Sequence, residues 1–162
     1  MSVHDLLVWI ENLGFATAIR ESSWLFPTIE TVHVFAIVQV VGSILTVDLR
    51  LIGWTDRDRQ FSQLASAILP WTWSCFAVAA TSGLLLFSSR AVDYFANLPF
   101  LVKMFCLLLA ALNMLVFHGI VSRNLSAWDR SRPPPAARFA GAASLVLWSV
   151  IVGAGRWIGF TT

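Results

Sequence analysis

Two of the three histidines in this chain, His33 and His118, fall inside long apolar stretches. Neither stands alone. Glu30 and Asp48 share a stretch with His33, and Lys103 shares another with His118. An ionisable side chain facing lipid costs kilocalories, so such groups normally turn to a bundle interior and mark a site. Three kinds of chemistry suit them. His33 can ligate the iron of a b-type haem, with Met104 at a similar depth as a second ligand, since Met/His pairs are a known haem arrangement. Lys103 and Arg156 would then neutralise the propionates, and exchange of electrons with a membrane quinone would be the natural role. Alternatively, acid and imidazole groups at two depths are what a proton or ion relay uses. In the third case the polar groups only fix helix packing in a scaffold or accessory subunit.

Depth sorts these residues into two groups. Each helical residue turns about 100° and rises about 1.5 Å. Glu30, His33 and Asp48 then share one sector of their helix with Val40 and Leu51. Lys103, Met114 and His118 share a sector of theirs, with Cys106 and Asn113 at its edge. His33 lies roughly 9 Å in from Pro27 and His118 roughly 28 Å in from Pro99. Glu30, His33, Lys103, Met104 and Arg156 therefore form an outer group, and Asp48, Arg50 and His118 an inner one. The mismatch of roughly 19 Å argues against the two histidines clamping one iron. The plain alternatives are a Glu30–His33 hydrogen bond three residues apart, an Asp48–His118 hydrogen bond, and Arg50 reaching the headgroups. No G-x-S-x-G, H-E-x-x-H, C-x-x-C or P-loop is present, so no soluble-enzyme signature assigns a reaction.

The elements that position these groups follow from the apolar runs. Hydrophobic residues make up 57% of the 162 and charged ones 12%, against about 25% charged in a soluble domain. Most of the surface must therefore meet lipid or protein. The net charge of +2 and the scattered arginines give no basis for nucleic-acid binding. Four stretches, roughly 24–52, 65–87, 99–121 and 137–160, reach the ~20 residues a bilayer requires. The expected fold is all-α: one membrane domain built as an up-down four-helix bundle. Ahead of it, Val3, Leu6, Leu7, Ile10 and Leu13 repeat at helical spacing and predict a short interfacial helix, set either on lipid or on the protein's own rim. Glu11 interrupts the apolar run too early for a secretory signal.

Arg50, Arg57 and Arg59 flank the first loop, and Arg123, Arg130, Arg132 and Arg138 flank the third. The positive-inside rule puts these loops in the cytoplasm and both termini outside. Trp24, Trp54, Trp128 and Trp157 are placed for an aromatic belt, whereas Trp71, Trp73 and Trp148 lie deeper and read as packing residues. Cys75 and Cys106 read as small buried hydrophobes. Small residues in the fourth span (Gly141, Ala142, Ala143, Gly153, Gly155) and in the second (Ala79, Gly83) permit close helix approach, within the bundle or in a homo-oligomer.

The short stretches Trp24-Leu25-Phe26-Pro27, Asp48-Leu49-Arg50-Leu51, Leu69-Pro70-Trp71-Thr72-Trp73, Phe117-His118, Trp128-Asp129 and Gly155-Arg156-Trp157-Ile158-Gly159-Phe160 span nearly the full chain. With Glu30 and His33 they make the chain resemble an uncharacterised bacterial family of four-span membrane proteins, a domain of unknown function. That resemblance implies a multi-pass protein of the bacterial inner membrane and carries no activity with it.

Overall fold

Four helices long and apolar enough to cross a bilayer dominate the computed structural model, which describes residues 2–55, 60–129 and 131–161. Arg57, Arg59 and Arg130, used above for orientation, lie outside the described residues. The chain runs through α1 (Val3–Glu11), α2 (Gly14–Glu21), α3 (Leu25–Ile52), α4 (Phe61–Ser89), α5 (Ala91–Ala96) and α6 (Leu98–Val116). A π-helical turn at Phe117–Val121 carries α6 on to a 3₁₀ turn at Ser122–Asn124. The chain closes with α7 (Leu125–Trp128) and α8 (Pro135–Thr161). The spans α3, α4, α6 and α8 make this a multi-pass membrane protein with a helical bundle.

Local chemistry sets the helix ends. Gly53, at φ 85°, ends α3 in the left-handed region, where a Cβ would be strained. Asn97 caps α6 by accepting the Phe100 N–H at 3.1 Å, with Pro99 in the first turn, where its missing N–H costs nothing. The first turn of α4 has no cap of its own. Asp129 supplies one from across the loop end: its carboxylate accepts the Ser62 N–H at 2.8 Å and the Ser62 hydroxyl at 2.7 Å. Asp129→Ala should therefore cost about 1–2 kcal/mol, the usual worth of a carboxylate cap. Amide exchange should quicken at Phe61–Leu64 and not at the far end of α4. Uniform exchange along α4 in both proteins would contradict this.

Packing runs in the order α4–α3–α8–α6, with α3 and α8 central. Asn113 Nδ2 donates to Ala140 O at 3.0 Å and ties α6 to α8. By contrast α4 and α6 do not pack closely along their lengths. Side chains bridge them: Phe87 stacks on Phe100 at one end, and Phe61 meets Phe117 edge-on at the other. The α4–α6 seam is thus the open side of the bundle. At mid-depth, Val40, Cys75, Cys106, Trp148 and Ile151 form an apolar plug, in which both cysteines are free and buried. A second core at the loop end gathers Leu51, Phe61, Phe117, Trp128 and three alanines.

Small residues explain the central contacts. A Cβ on Gly141 would sit 3.0 Å from Leu51 Cβ and 3.1 Å from the Asp48 carbonyl oxygen, so this glycine lets α8 lie against α3. The stripe considered above for self-association is therefore used in part inside the bundle. The start of α1 and the last turn of α8 lie at one end, where Asn97 Nδ2 donates to Thr161 Oγ1 at 2.9 Å. There α1 and α2 dock on the rim. Glu11 Oε1 accepts the Val92 N–H at 2.8 Å, and Arg20 Nη1 donates to Glu11 O and Ser89 O. α1 still leaves Val3, Leu6, Val8 and Trp9 exposed, so its opposite side suits the interface.

The tryptophans partly depart from expectation. Trp24, Trp54 and Trp157 are exposed as a belt requires, and Trp148 is buried as a packing residue. Trp71 and Trp73, expected to pack, are exposed; they lie within a turn of Pro70, on the outer surface of α4. Trp128, expected in the belt, is buried in the loop-end core.

Candidate functional site

His33 projects from α3 onto α4 near the terminal end. Its Nδ1 lies 2.9 Å from the Ala79 carbonyl oxygen and 3.0 Å from Ser82 Oγ. A carbonyl only accepts, so Nδ1 carries the hydrogen. The Ser82 hydroxyl spends its own hydrogen on Val78 O at 2.7 Å and therefore accepts from the imidazole. In the neutral ring this tautomer leaves Nε2 as a bare lone pair. The Cε1 corner of the ring can approach α4 because residue 83 is glycine: a Cβ there would stand 3.0 Å from His33 Cε1 and 3.9 Å from Nε2.

Lys103, in the second turn of α6, lies within electrostatic reach of His33. It too rests on a glycine, its Nζ 3.9 Å from where a Gly155 Cβ would stand on α8. Among the described residues no hydrogen bond or ion pair holds this ammonium. An imidazole acceptor and an ammonium donor thus lie within electrostatic reach of each other at the terminal end, each on a glycine of a neighbouring helix. One helical turn nearer the membrane surface, Phe87, four residues beyond Gly83, stacks on Phe100, three residues before Lys103, with ring centroids 5.4 Å apart. Tyr94 joins this stack at 5.7 Å from Phe100. Burial pushes the Tyr94 phenol above its ordinary range; Arg90 opposes the rise, and Glu30 and Asp93 add to it.

The other members of the expected outer group stand apart. Glu30 is exposed, and no hydrogen bond joins it to His33, whose Nδ1 is committed to α4. Arg156 is exposed and folds back over Phe160 of its own helix, 4.6 Å from the ring centroid. Met104 is 48% exposed on the outward side of α6, with Leu101, Phe105 and Leu108. One residue's rotation from Lys103 carries it out of the bundle, so it is not opposed to His33.

The inner group also rearranges. Asp48 is buried in the α3–α8 seam and hydrogen-bonds Ser144; its Oδ2 has no partner among the described residues. His118 is exposed on the π-helical turn, where its Nδ1 bonds Met114 O at 3.0 Å. The expected Asp48–His118 bond is thus replaced by contacts to α8 and to the histidine's own helix. Arg50 does not reach out to headgroups. It is 1% exposed and donates to the Asp129 carbonyl oxygen at 3.3 Å. Ser82, Gly83 and Gly155 are the site residues missed by the sequence reading as chemistry. The signal for the two glycines is the small-residue pattern, Ala79 and Gly83 in the second span and Gly155 in the fourth, which marks close approach without saying what approaches.

The chain belongs to a family of unknown function, DUF6644, whose sequence model matches residues 9–161. No curated protein and no solved structure is detectably similar to it.

Proposed function

We propose that the protein binds a membrane-dissolved quinone between His33 and Lys103. The observation that carries this is the tautomer: with Nδ1–H committed to Ala79 O, the Nε2 lone pair is left to accept, and within electrostatic reach of the ring is the Lys103 ammonium, which has no hydrogen bond or ion pair among the described residues. A quinone ring presents oxygen atoms that accept from Lys103, and its reduced form presents a hydroxyl that donates to His33. The Phe87–Phe100–Tyr94 stack offers a flat apolar surface one turn away, and the open α4–α6 seam gives a lipid-soluble ligand a lateral way in. The arginines at the loop end favour a cytoplasmic location for that end, which would put the site in the outer leaflet of a bacterial inner membrane.

A b-type haem is the second reading, and the same Nδ1–H bond favours it, because ligating histidines are commonly oriented by a carbonyl in this way. His33 and Lys103 would suit a haem with one protein ligand. The second ligand considered from the sequence is not opposed to His33, since Met104 faces outward and His118 lies at the far end. A continuous proton relay is less well supported, because the Val40–Trp148 plug separates the two polar groups.

The test is quinone carried through purification in mild detergent. Wild type should retain quinone, measured in a solvent extract, and His33→Ala and Lys103→Met should each lower the retained amount about tenfold, the worth of a charge-assisted hydrogen bond. Helix content should not change. Equal retention in all three would refute the reading. A Soret band in wild type, lost in His33→Ala, would transfer the site to haem.

A further inference from the structure

Both partners of the His33 Nδ1 can only accept from it. Ala79 O is a carbonyl, and the Ser82 hydroxyl gives its hydrogen to the α4 backbone, to Val78 O at 2.7 Å or Ala79 O at 3.2 Å. The tautomer of the neutral ring is therefore fixed twice over. Nε2 cannot become a donor in that ring without loss of both bonds. Lys103 Nζ is the reverse, a group that only donates. Neither Nε2 nor Nζ has a hydrogen-bond partner among the described residues. The polar atoms there that are both partnerless and fully enclosed are Asp48 Oδ2, Trp128 Nε1 and Arg138 Nε. The imidazole lone pair and the ammonium are not among them, so both keep accessible surface. This acceptor and this donor are set by the protein before any ligand arrives.

We propose that the site selects the reduced ring, holding a quinol more tightly than the corresponding quinone. This preference rests on the quinone reading above and adds which member of the couple the protein holds. A quinone oxygen only accepts. It can satisfy Lys103, but against His33 it sets lone pair against lone pair. A quinol hydroxyl donates as well as accepts. It therefore satisfies both Nε2 and Nζ, whether the two groups meet one oxygen or opposite oxygens of the ring. Leaving one buried acceptor unpaired is worth about tenfold in affinity. For a two-electron couple, a tenfold preference for the reduced form raises the midpoint potential of the bound couple by about 30 mV.

Binding of both members of one couple to the whole protein in mild detergent tests this. The probes are a decyl-substituted benzoquinone and its quinol, the latter kept reduced under anaerobic conditions, with uptake by empty micelles subtracted. Wild type should bind the quinol about tenfold more tightly. His33→Gln puts an amide, which donates as well as accepts, where the imidazole only accepts. It should bring the two affinities together. Lys103→Met removes a donor that both forms use, so it should weaken both and keep the preference. A merely structural role for His33 would change both affinities by one factor and leave their ratio intact. The midpoint potential of the couple bound to wild type should stand about 30 mV above that in empty micelles. That measurement needs no variant and serves if His33→Gln fails to fold. Equal affinities in wild type, a tighter quinone, an unshifted potential, or a preference that His33→Gln leaves unchanged would overturn the selectivity while the quinone site itself stands. No binding of either form would remove the quinone reading, and the selectivity with it.

Discussion

Trp128→Ala should lower stability by about 3–5 kcal/mol, the range for truncating a large buried aromatic. The indole is 7% exposed and packs 5.5 Å from the Phe61 ring, in the core that also holds Phe117 and Leu51. Its Nε1 has no hydrogen-bond partner among the described residues, so truncation breaks no polar contact there and the loss is packing plus cavity. Three elements meet on this ring: the start of α4, the π-helical turn and α7, a single turn of four residues. So short a helix has almost no stability of its own. The indole is what fastens it, and with it the Asp129 cap on α4. Thermal unfolding in detergent measures the effect. Trp54→Ala is the control: Trp54 is 77% exposed, and surface changes of this kind usually stay within about 0.5 kcal/mol. If both variants melt together, the loop-end core is not a folding determinant.

The spans were legible because a bilayer imposes one strong demand, a long apolar run. α3 and α8 begin and end within a few residues of expectation. α4 extends further at both ends than its apolar run implies. Phe61 and Leu64 are spaced at helical intervals among polar residues, and Ser88 and Ser89 are buried by the docking of α2 despite being polar. α2 and α5 escaped notice because eight and six residues hold too few turns to show a period. The interior sector of α3 was also legible: Val40, Asp48 and Leu51 are buried together. Rotation alone, however, gave no partner. Depth makes His118 one possible partner for Asp48, but the side chain that bonds it is Ser144 on α8, which the Gly141 contact draws against α3. For Arg50 the sequence offers the headgroups as one alternative, because long cations usually snorkel. The fold instead closes the third loop over it, a tertiary event with no local signature. The tautomer of His33 was illegible for a simpler reason. Its partners are a backbone carbonyl, which every residue has, and a serine that reads as an ordinary helical residue bonded to its own backbone.

Gly83→Ala should empty the His33 site, whereas the same change at Gly153 should not. In an exposed helix interior, glycine to alanine stabilises by about 0.5–1 kcal/mol, because alanine has less backbone freedom to lose. Gly153 meets nothing within 4 Å of an added Cβ, so Gly153→Ala should show that gain. At Gly83 the added methyl would stand 3.0 Å from His33 Cε1, closer than carbon atoms tolerate. The imidazole must move, and its Nδ1 has two partners on the same helix, Ala79 O and Ser82 Oγ, that fix where it can sit. Displacing the ring by a few tenths of an ångström lengthens both bonds and swings Nε2 away from Lys103. The helix-propensity gain is then offset, and Gly83→Ala should melt at or below wild type. Its quinone retention should fall toward that of His33→Ala. The NMR signature is specific. The Nδ1–H resonance of His33, slowed in exchange by its carbonyl bond, should shift or vanish in Gly83→Ala and persist in Gly153→Ala. Should Gly83→Ala instead stabilise the protein as much as Gly153→Ala and leave that resonance in place, the imidazole does not rest on α4 as described. The binding site built on its lone pair would then have to be abandoned.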